Sequence, residues 1–214
     1  MAAHSQLELL PSIVKDKQDL FKSFIGLCHF VNKTMLTTLS DILSLTGNAS
    51  FQAYHRNDRP SNTTLVLLHY PKQGVQEGMG HNKHTDIGTL TLLFTEQWGL
   101  QLQQPGSDEW EFIAPLDGHA IVNVGDSLRF LSGKKFNSCL HRVVPVTSNE
   151  DRYSIAYFLR PENETRFEDT DGREVKAVDW HDDKYVMFAE PHDRQERSRM
   201  LTGGMERNAG IMVN

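Results

Sequence analysis

Between residues 64 and 159 the chain strings together eight short segments of β type with nothing helical between them, and this pattern restricts the fold more than any other feature. The segments are 64–70, 88–94, 100–103, 110–113, 120–124, 128–131, 140–146 and 152–159. Turn residues stand between nearly all of them: Pro105-Gly106-Ser107-Asp108, Asp117-Gly118, Gly125-Asp126, Gly133 and Ser148-Asn149-Glu150-Asp151. Gly, Pro, Asn and Asp reverse a chain through positive φ, fixed φ or local side-chain hydrogen bonds. Neighbouring parallel strands need a long crossover, usually a helix, so strands this closely spaced do not build a parallel α/β sheet. A mainly β fold with flanking helices is expected, of the sandwich or jelly-roll kind.

The flanks are helical in pattern. Over 15–45 the residues Leu20, Phe21, Phe24, Leu27, Cys28, Val31, Met35, Leu39, Ile42 and Leu43 recur at three- and four-residue steps, which predicts an amphipathic helix bracing the sheet. Gly47 and Asn48 supply its stop. A second helix is expected around 179–190, followed by a charged tail in which Gly203-Gly204 reads as a helix stop. At 214 residues, with 38% hydrophobic and 23% charged content, the chain suits a single domain spanning 1–214. Its parts are a bracing helix within 1–50, a β core over 60–162 and a C-terminal helical segment over 163–214. A net charge of −6 gives no basic footprint, which argues against nucleic acid or an anionic membrane and for small-molecule partners. Two cysteines, Cys28 and Cys139, make no disulfide framework, and no apolar run has the length of a signal core or a membrane span. A cytoplasmic protein is expected.

The chemistry concentrates in HNKHTDIGTLTLLF. In extended chain, residues i and i+2 share a face, so His84 and Asp86 converge while Thr85 points away. An imidazole nitrogen and a carboxylate oxygen suit a divalent ion, and two histidines with one carboxylate on one triangular face is the arrangement associated with non-haem Fe(II) oxygenases. A second His-x-Asp pair, His181 and Asp183, lies in a helical stretch where i and i+2 do not face each other. His141, in LHRVVPV at the head of a strand, is the candidate third ligand. Arg152 and Ser154, again at i and i+2, form an anion clamp able to hold the far end of a dicarboxylate. Asp126 reads as a turn residue, and His69, His81 and His119 as ordinary polar residues. Leu67, Phe130 and Phe158 are the apolar candidates for a substrate pocket.

In HNKHTDIGTLTLLF, WGLQLQ, VNVGDSLRFLSGKKFNSCLHRVVP and DRYSIAYFLRPEN, taken in order, the chain resembles the 2-oxoglutarate and Fe(II)-dependent oxygenases of the isopenicillin N synthase-like group, especially fungal members. The resemblance runs from about the first helix to LTGGMER. It implies a double-stranded β-helix (the cupin-like jelly roll), with His84, Asp86 and His141 as ligands of Fe(2+). By the same resemblance, Arg152 and Ser154 hold the distal carboxylate of 2-oxoglutarate and Tyr70, in LLHYP, completes that pocket. Leu68 departs from the family, where many members carry a polar residue. The implied activity is a dioxygenase that consumes 2-oxoglutarate and O2 and hydroxylates, desaturates or cyclises a small organic substrate in fungal secondary metabolism. Two alternatives stay open: a non-haem iron oxidase independent of 2-oxoglutarate, and a catalytically silent metal-binding fragment or structural subunit. Family members usually carry a substantial region ahead of the long helix, so a homodimer or a partner chain is expected to cover the wall that region supplies.

Overall fold

The computed structural model describes residues 10–72, 80–104, 106–144 and 150–205. Two four-stranded antiparallel sheets form its centre. The first runs in the order β1 (Thr64–Tyr70), β8 (Arg152–Leu159), β3 (Leu90–Phe94) and β6 (Ile121–Val124). The second runs β2 (His81–His84), β7 (His141–Val143), β4 (Leu100–Gln103) and β5 (Trp110–Phe112). Strands from the two ends of the core sequence alternate within each sheet, which is the interleaving of a jelly roll.

Seven of the eight expected segments contain a strand. The exception is 128–131, which lies in a helix, α3 (Asp126–Leu131). A short apolar run reads the same in a buried helix as in a strand, and here the backbone decides. Gly125 enters extended, the Ser127 N–H reaches Gly88 O at 3.0 Å, and the Arg129 N–H closes the first turn on Gly125 O at 3.2 Å. A side chain at 125 would put its Cβ 2.3 Å from Gly88 O, so glycine is needed where the two segments touch. β2 and a hairpin of β9 (Arg166–Glu168) and β10 (Glu174–Lys176) are elements the sequence pattern did not signal. Pro105, Ser148, Asn149, the end of the 140–146 segment and the tail past 205 lie outside the described residues.

Strand alternation gives the first sheet two different faces. On β8, Arg152, Ser154, Ala156 and Phe158 face a cavity between the sheets, while Tyr157 and Leu159 are buried on the other side. That other side meets the long helix α2 (Gln18–Ile42), which follows a short helix, α1 (Ser12–Asp16). Cys28 and Leu36 of α2 pack with Phe51, Leu90, Leu92, Leu128, Tyr157 and Leu159, burial that stabilises by roughly 1.5–3 kcal/mol for each large side chain. His55 ties the turn Phe51–Tyr54 to the sheet: its Nδ1 donates to Phe51 O at 2.8 Å and its Nε2 accepts from the Thr89 hydroxyl at 2.7 Å. Burial lowers the His55 imidazole to about 4, so it stays neutral. The opposite stripe of α2 leaves Leu20, Leu27, Phe30 and Ile42 each at least 60% exposed, so Leu20, Leu27 and Ile42, which the spacing placed among the bracing residues, face away from the sheet.

A second apolar cluster joins Ile87, Phe130, Phe167, Ala177 and Trp180. It fixes α4 (Ala177–Met187) against α3 and β9. From there His181 and Tyr185 reach the cavity, and α5 (His192–Glu196) docks on β2 through an Asn82 side-chain hydrogen bond to His192 O at 3.0 Å.

Candidate metal centre

His84 closes β2 and pairs directly with His141, the first residue of β7. Asp86 follows two residues later, where the chain leaves the sheet. All three are buried, and one ligand atom from each lies within 4.8 Å of the others. Asp86 Oδ1 stands 3.8 Å from His84 Nε2 and 3.7 Å from His141 Nε2, with the two rings 4.3 Å apart.

Hydrogen bonds fix which atoms face inward. His84 Nδ1 lies 2.7 Å from Asn82 O and His141 Nδ1 lies 3.0 Å from Cys139 O. A carbonyl only accepts, so each Nδ1 carries the proton and each Nε2 presents its lone pair. Asp86 Oδ2 accepts from the Thr91 hydroxyl at 2.6 Å and from Asn123 Nδ2 at 2.7 Å, which turns Oδ1 toward the histidines. Burial, with His141 beside it, lowers the His84 imidazole to about 3. Burial pushes Asp86 up, but the two histidines and the bonds from Asn123 and Thr91 outweigh it and hold the carboxyl at about 2. A neutral imidazole and a charged carboxylate are the forms that ligate a divalent ion.

Behind the 84–86 segment sits a closed polar network. Lys184 and Asp126 are fully buried, with Nζ 2.5 Å from Oδ2. Lys184 also donates to Thr85 Oγ1 at 2.7 Å, and Thr85 Oγ1 donates in turn to Asp126 Oδ1 at 2.8 Å. Ser138 Oγ adds a third donor to Asp126 at 2.7 Å, and the Asp126 N–H holds Asp86 O at 2.8 Å. Thr85 lies between the two ligands, so this network sets the backbone that aims them. Burial lowers the Lys184 ammonium, and Asp126 opposes the fall. Asp126 is therefore more than the turn residue its sequence context suggests. No local signal links it to Lys184, which comes from a separate helix.

In front of the segment is a cavity of about 980 Å³ between the sheets, lined by residues of both. Arg152, Ser154 and Tyr70 open onto it together. Arg152 Nε donates to Trp98 O at 3.0 Å, whereas Nη1 and Nη2 are buried without a partner. Its Cζ lies 4.9 Å from the Tyr70 ring centre. Gly99, at φ +133°, leaves room for this guanidinium, since a Cβ there would come within 3.1 Å of Arg152 Nε. The Tyr70 hydroxyl shares a 2.7 Å hydrogen bond with His81 Nδ1. His81, read from the sequence as an ordinary polar residue, thus faces the cavity; its parity with Tyr70 was hidden by the segment between β1 and β2. Leu68 lines the cavity as well.

The apolar candidates divide. Phe158 lines the cavity. Leu67 does not: it is 51% exposed on the outer face of β1, out of phase with Val66, Leu68 and Tyr70. Phe130 does not either, because in α3 it points into the second apolar cluster, against Phe167 and Trp180. His181 and Asp183 fall on α4, as expected of the uninvolved pair, although His181 lines the cavity by itself.

A jelly roll with two histidines and a carboxylate converging inside it has the donor set of the mononuclear non-haem iron proteins. A family model described as the 2OG-Fe(II) oxygenase superfamily matches residues 61–161. The chain is 56% identical over 202 residues to the 2-oxoglutarate-dependent dioxygenase iboH of Amanita muscaria, covering 92% of this chain and 98% of that protein. It is 51% identical to the oxidoreductase vrtI of Penicillium aethiopicum, over 95% of this chain and 50% of that one. The chain spans between 50% and 64% of the length of four relatives, vrtI among them. Among solved structures, a full-length Neurospora crassa protein in complex with alpha-KG matches 79% of this chain and 57% of its own with a TM-score of 0.66 at 24% identity, a likeness of fold. The chain belongs to the 2OG-Fe(II) oxygenase superfamily.

Proposed function

We propose that this chain is an Fe(II)- and 2-oxoglutarate-dependent dioxygenase that oxidises a small organic substrate in fungal secondary metabolism. One observation carries the reading: the inward-facing His84 Nε2, Asp86 Oδ1 and His141 Nε2 share a cavity with the unpartnered Nη1 and Nη2 of Arg152. The first set suits Fe(II), and the second suits a carboxylate, which a guanidinium grips through two parallel hydrogen bonds.

When bound, Fe(II) and 2-oxoglutarate would supply the oxidising power: decarboxylation to succinate and CO2 takes up one atom of O2, and the other is left to oxidise the substrate by two electrons. The chain's own residues do the rest. His84 Nε2, Asp86 Oδ1 and His141 Nε2 would hold the metal, and the cavity in front of them has room for the co-substrates. Thr91 and Asn123 keep Asp86 from rotating. Arg152 and Ser154 fix the far carboxylate, with Tyr70 beside them; burial raises the Tyr70 hydroxyl above its ordinary value and keeps it protonated. Phe158, Leu93 and Ala156 line the same cavity with apolar surface. No helix among the described residues is long and apolar enough to cross a membrane. The free thiols of Cys28 and Cys139 support a cytoplasmic setting, and the exposed stripe on α2 supports association with a second copy or a partner chain.

The test is anaerobic titration of the Fe(II)-loaded protein with 2-oxoglutarate, followed by the visible metal-to-ligand charge-transfer band. A band in the parent that weakens in Arg152→Ala supports the reading. Bound iron without a band would replace it with the 2-oxoglutarate-independent oxidase or the silent module, which oxygen consumption without succinate release would tell apart.

A further inference from the structure

Arg152 has a counterpart at the other end of the same strand. Arg160 stands one residue beyond β8, eight positions from Arg152 and therefore on the same face, and it lines the same cavity. It is 9% exposed. Nη1 donates to Asn62 O, and Cζ sits 5.3 Å from the Phe158 ring centre, but the buried Nε has no partner. The backbone around it is fastened: the Arg160 N–H donates to Thr63 Oγ1 at 3.1 Å, and the Thr63 hydroxyl is 3.2 Å from Arg160 O.

Nearby acids do not answer this charge. Glu162, two residues on, is taken by Arg56, with Nε at 2.7 Å and Nη2 at 2.6 Å on its two oxygens. Asp86 faces the histidines and is committed to the metal once one is bound. Asn62 O is a neutral acceptor, and a buried guanidinium with an open Nε and no counter-charge is costly, so its presence here calls for an anion that arrives with a ligand.

We propose that Arg160 binds a carboxylate of the substrate, so that this cavity is built for a small carboxylic acid. The idea rests on the oxygenase reading only in taking the cavity as the substrate chamber. With 2-oxoglutarate held by Arg152, the second anionic position belongs to the molecule being oxidised. Arg152 and Arg160 are the only lysine or arginine residues among the described cavity lining, so one positive charge remains for the substrate. A single planar fork matches a monovalent carboxylate better than a phosphate dianion.

The experiment is calorimetric and needs no turnover. Metal-free protein carrying Arg152→Met, which removes the competing clamp, is titrated with hexanoate, benzoate and phenylacetate, each beside its primary amide, and with inorganic phosphate. At least one acid should bind ten or more times tighter than its amide. The preference should vanish when Arg160→Met is added and survive in part with Arg160→Lys. Thermal melts check that each variant is folded. Equal affinity for acid and amide, no binding of any acid, a preference that persists without Arg160, or phosphate bound above every acid would each overturn the assignment. Because neither iron nor 2-oxoglutarate is present, these outcomes are separate from failure of the charge-transfer titration.

Discussion

On one side of the 84–86 segment, Lys184 and Asp126 are buried with their charges matched and donors from Thr85 and Ser138 around the carboxylate. On the other side, Arg152 and Arg160 are buried with guanidinium nitrogens unmatched. The two regions lie within one fold and differ in what completes them. The rear network is finished by the chain itself and serves to hold backbone. The front pair is unfinished, and a buried donor with no acceptor lowers stability until a ligand supplies one. Stability and binding should therefore fall together at the rear and move in opposite directions at the front.

The largest expected effect is at the rear. Lys184→Met strands the Asp126 carboxylate and should cost about 3–5 kcal/mol in urea unfolding, with iron affinity falling about 10- to 100-fold as Thr85 loses its anchor. The double variant Lys184→Met with Asp126→Leu should be more stable than the single one. If it is not, the pair does not act as a unit.

Acid sharpens the contrast without touching the ion pair. His55 and His84 are held neutral, at about 4 and about 3 against an ordinary 6.5. The unfolded chain therefore takes up protons first, and stability present above pH 6.5 is lost as pH falls toward 4. The His55 share is on the order of 3 kcal/mol. Metal-free protein melted between pH 7 and 4 should show the slope, and His55→Gln should flatten it. The double variant at the rear should leave it unchanged.

Arg152→Met tests the front. Urea unfolding should show stability unchanged or raised by up to about 2 kcal/mol, because an unmatched buried cation is removed, while 2-oxoglutarate binding is lost. A drop as large as that of Lys184→Met would erase the distinction. The smallest effect is Ser138→Ala, which removes one of the donors to Asp126 and should cost about 1 kcal/mol by thermal melt, with the charge-transfer band intact.

The sequence made the front more legible than the rear. His84 and Asp86 announce themselves by spacing, and Arg152 and Ser154 by sharing a strand face, because a period of two survives in the letters. His141 is attached to them by sheet pairing, which the family resemblance carried and no spacing could. The same period excludes Leu67, since Tyr70 fixes the even residues of β1 as inward. Phe130 was misplaced because its short apolar run fits helix and strand alike, and only the contact of Gly125 with Gly88 decides between them. Asp126 and Lys184 leave no periodic trace: they are joined only by the packing of α4 on the second apolar cluster.

The alternation along β8 turns the cavity into a graduated scale. Arg152, Ser154, Ala156, Phe158 and Arg160 are its marks, and the backbone positions of the two arginines stand at most about 26 Å apart at eight steps of strand rise. A slip of one residue would rotate both arginines out and bring Tyr157 and Leu159 in, so intermediate lengths are forbidden. A lineage that moved the second arginine to fit a longer or shorter molecule could do so only two residues at a time. With Arg152 and Arg160 as the two anion sites we propose, discrimination by ligand length is quantised by the pleat.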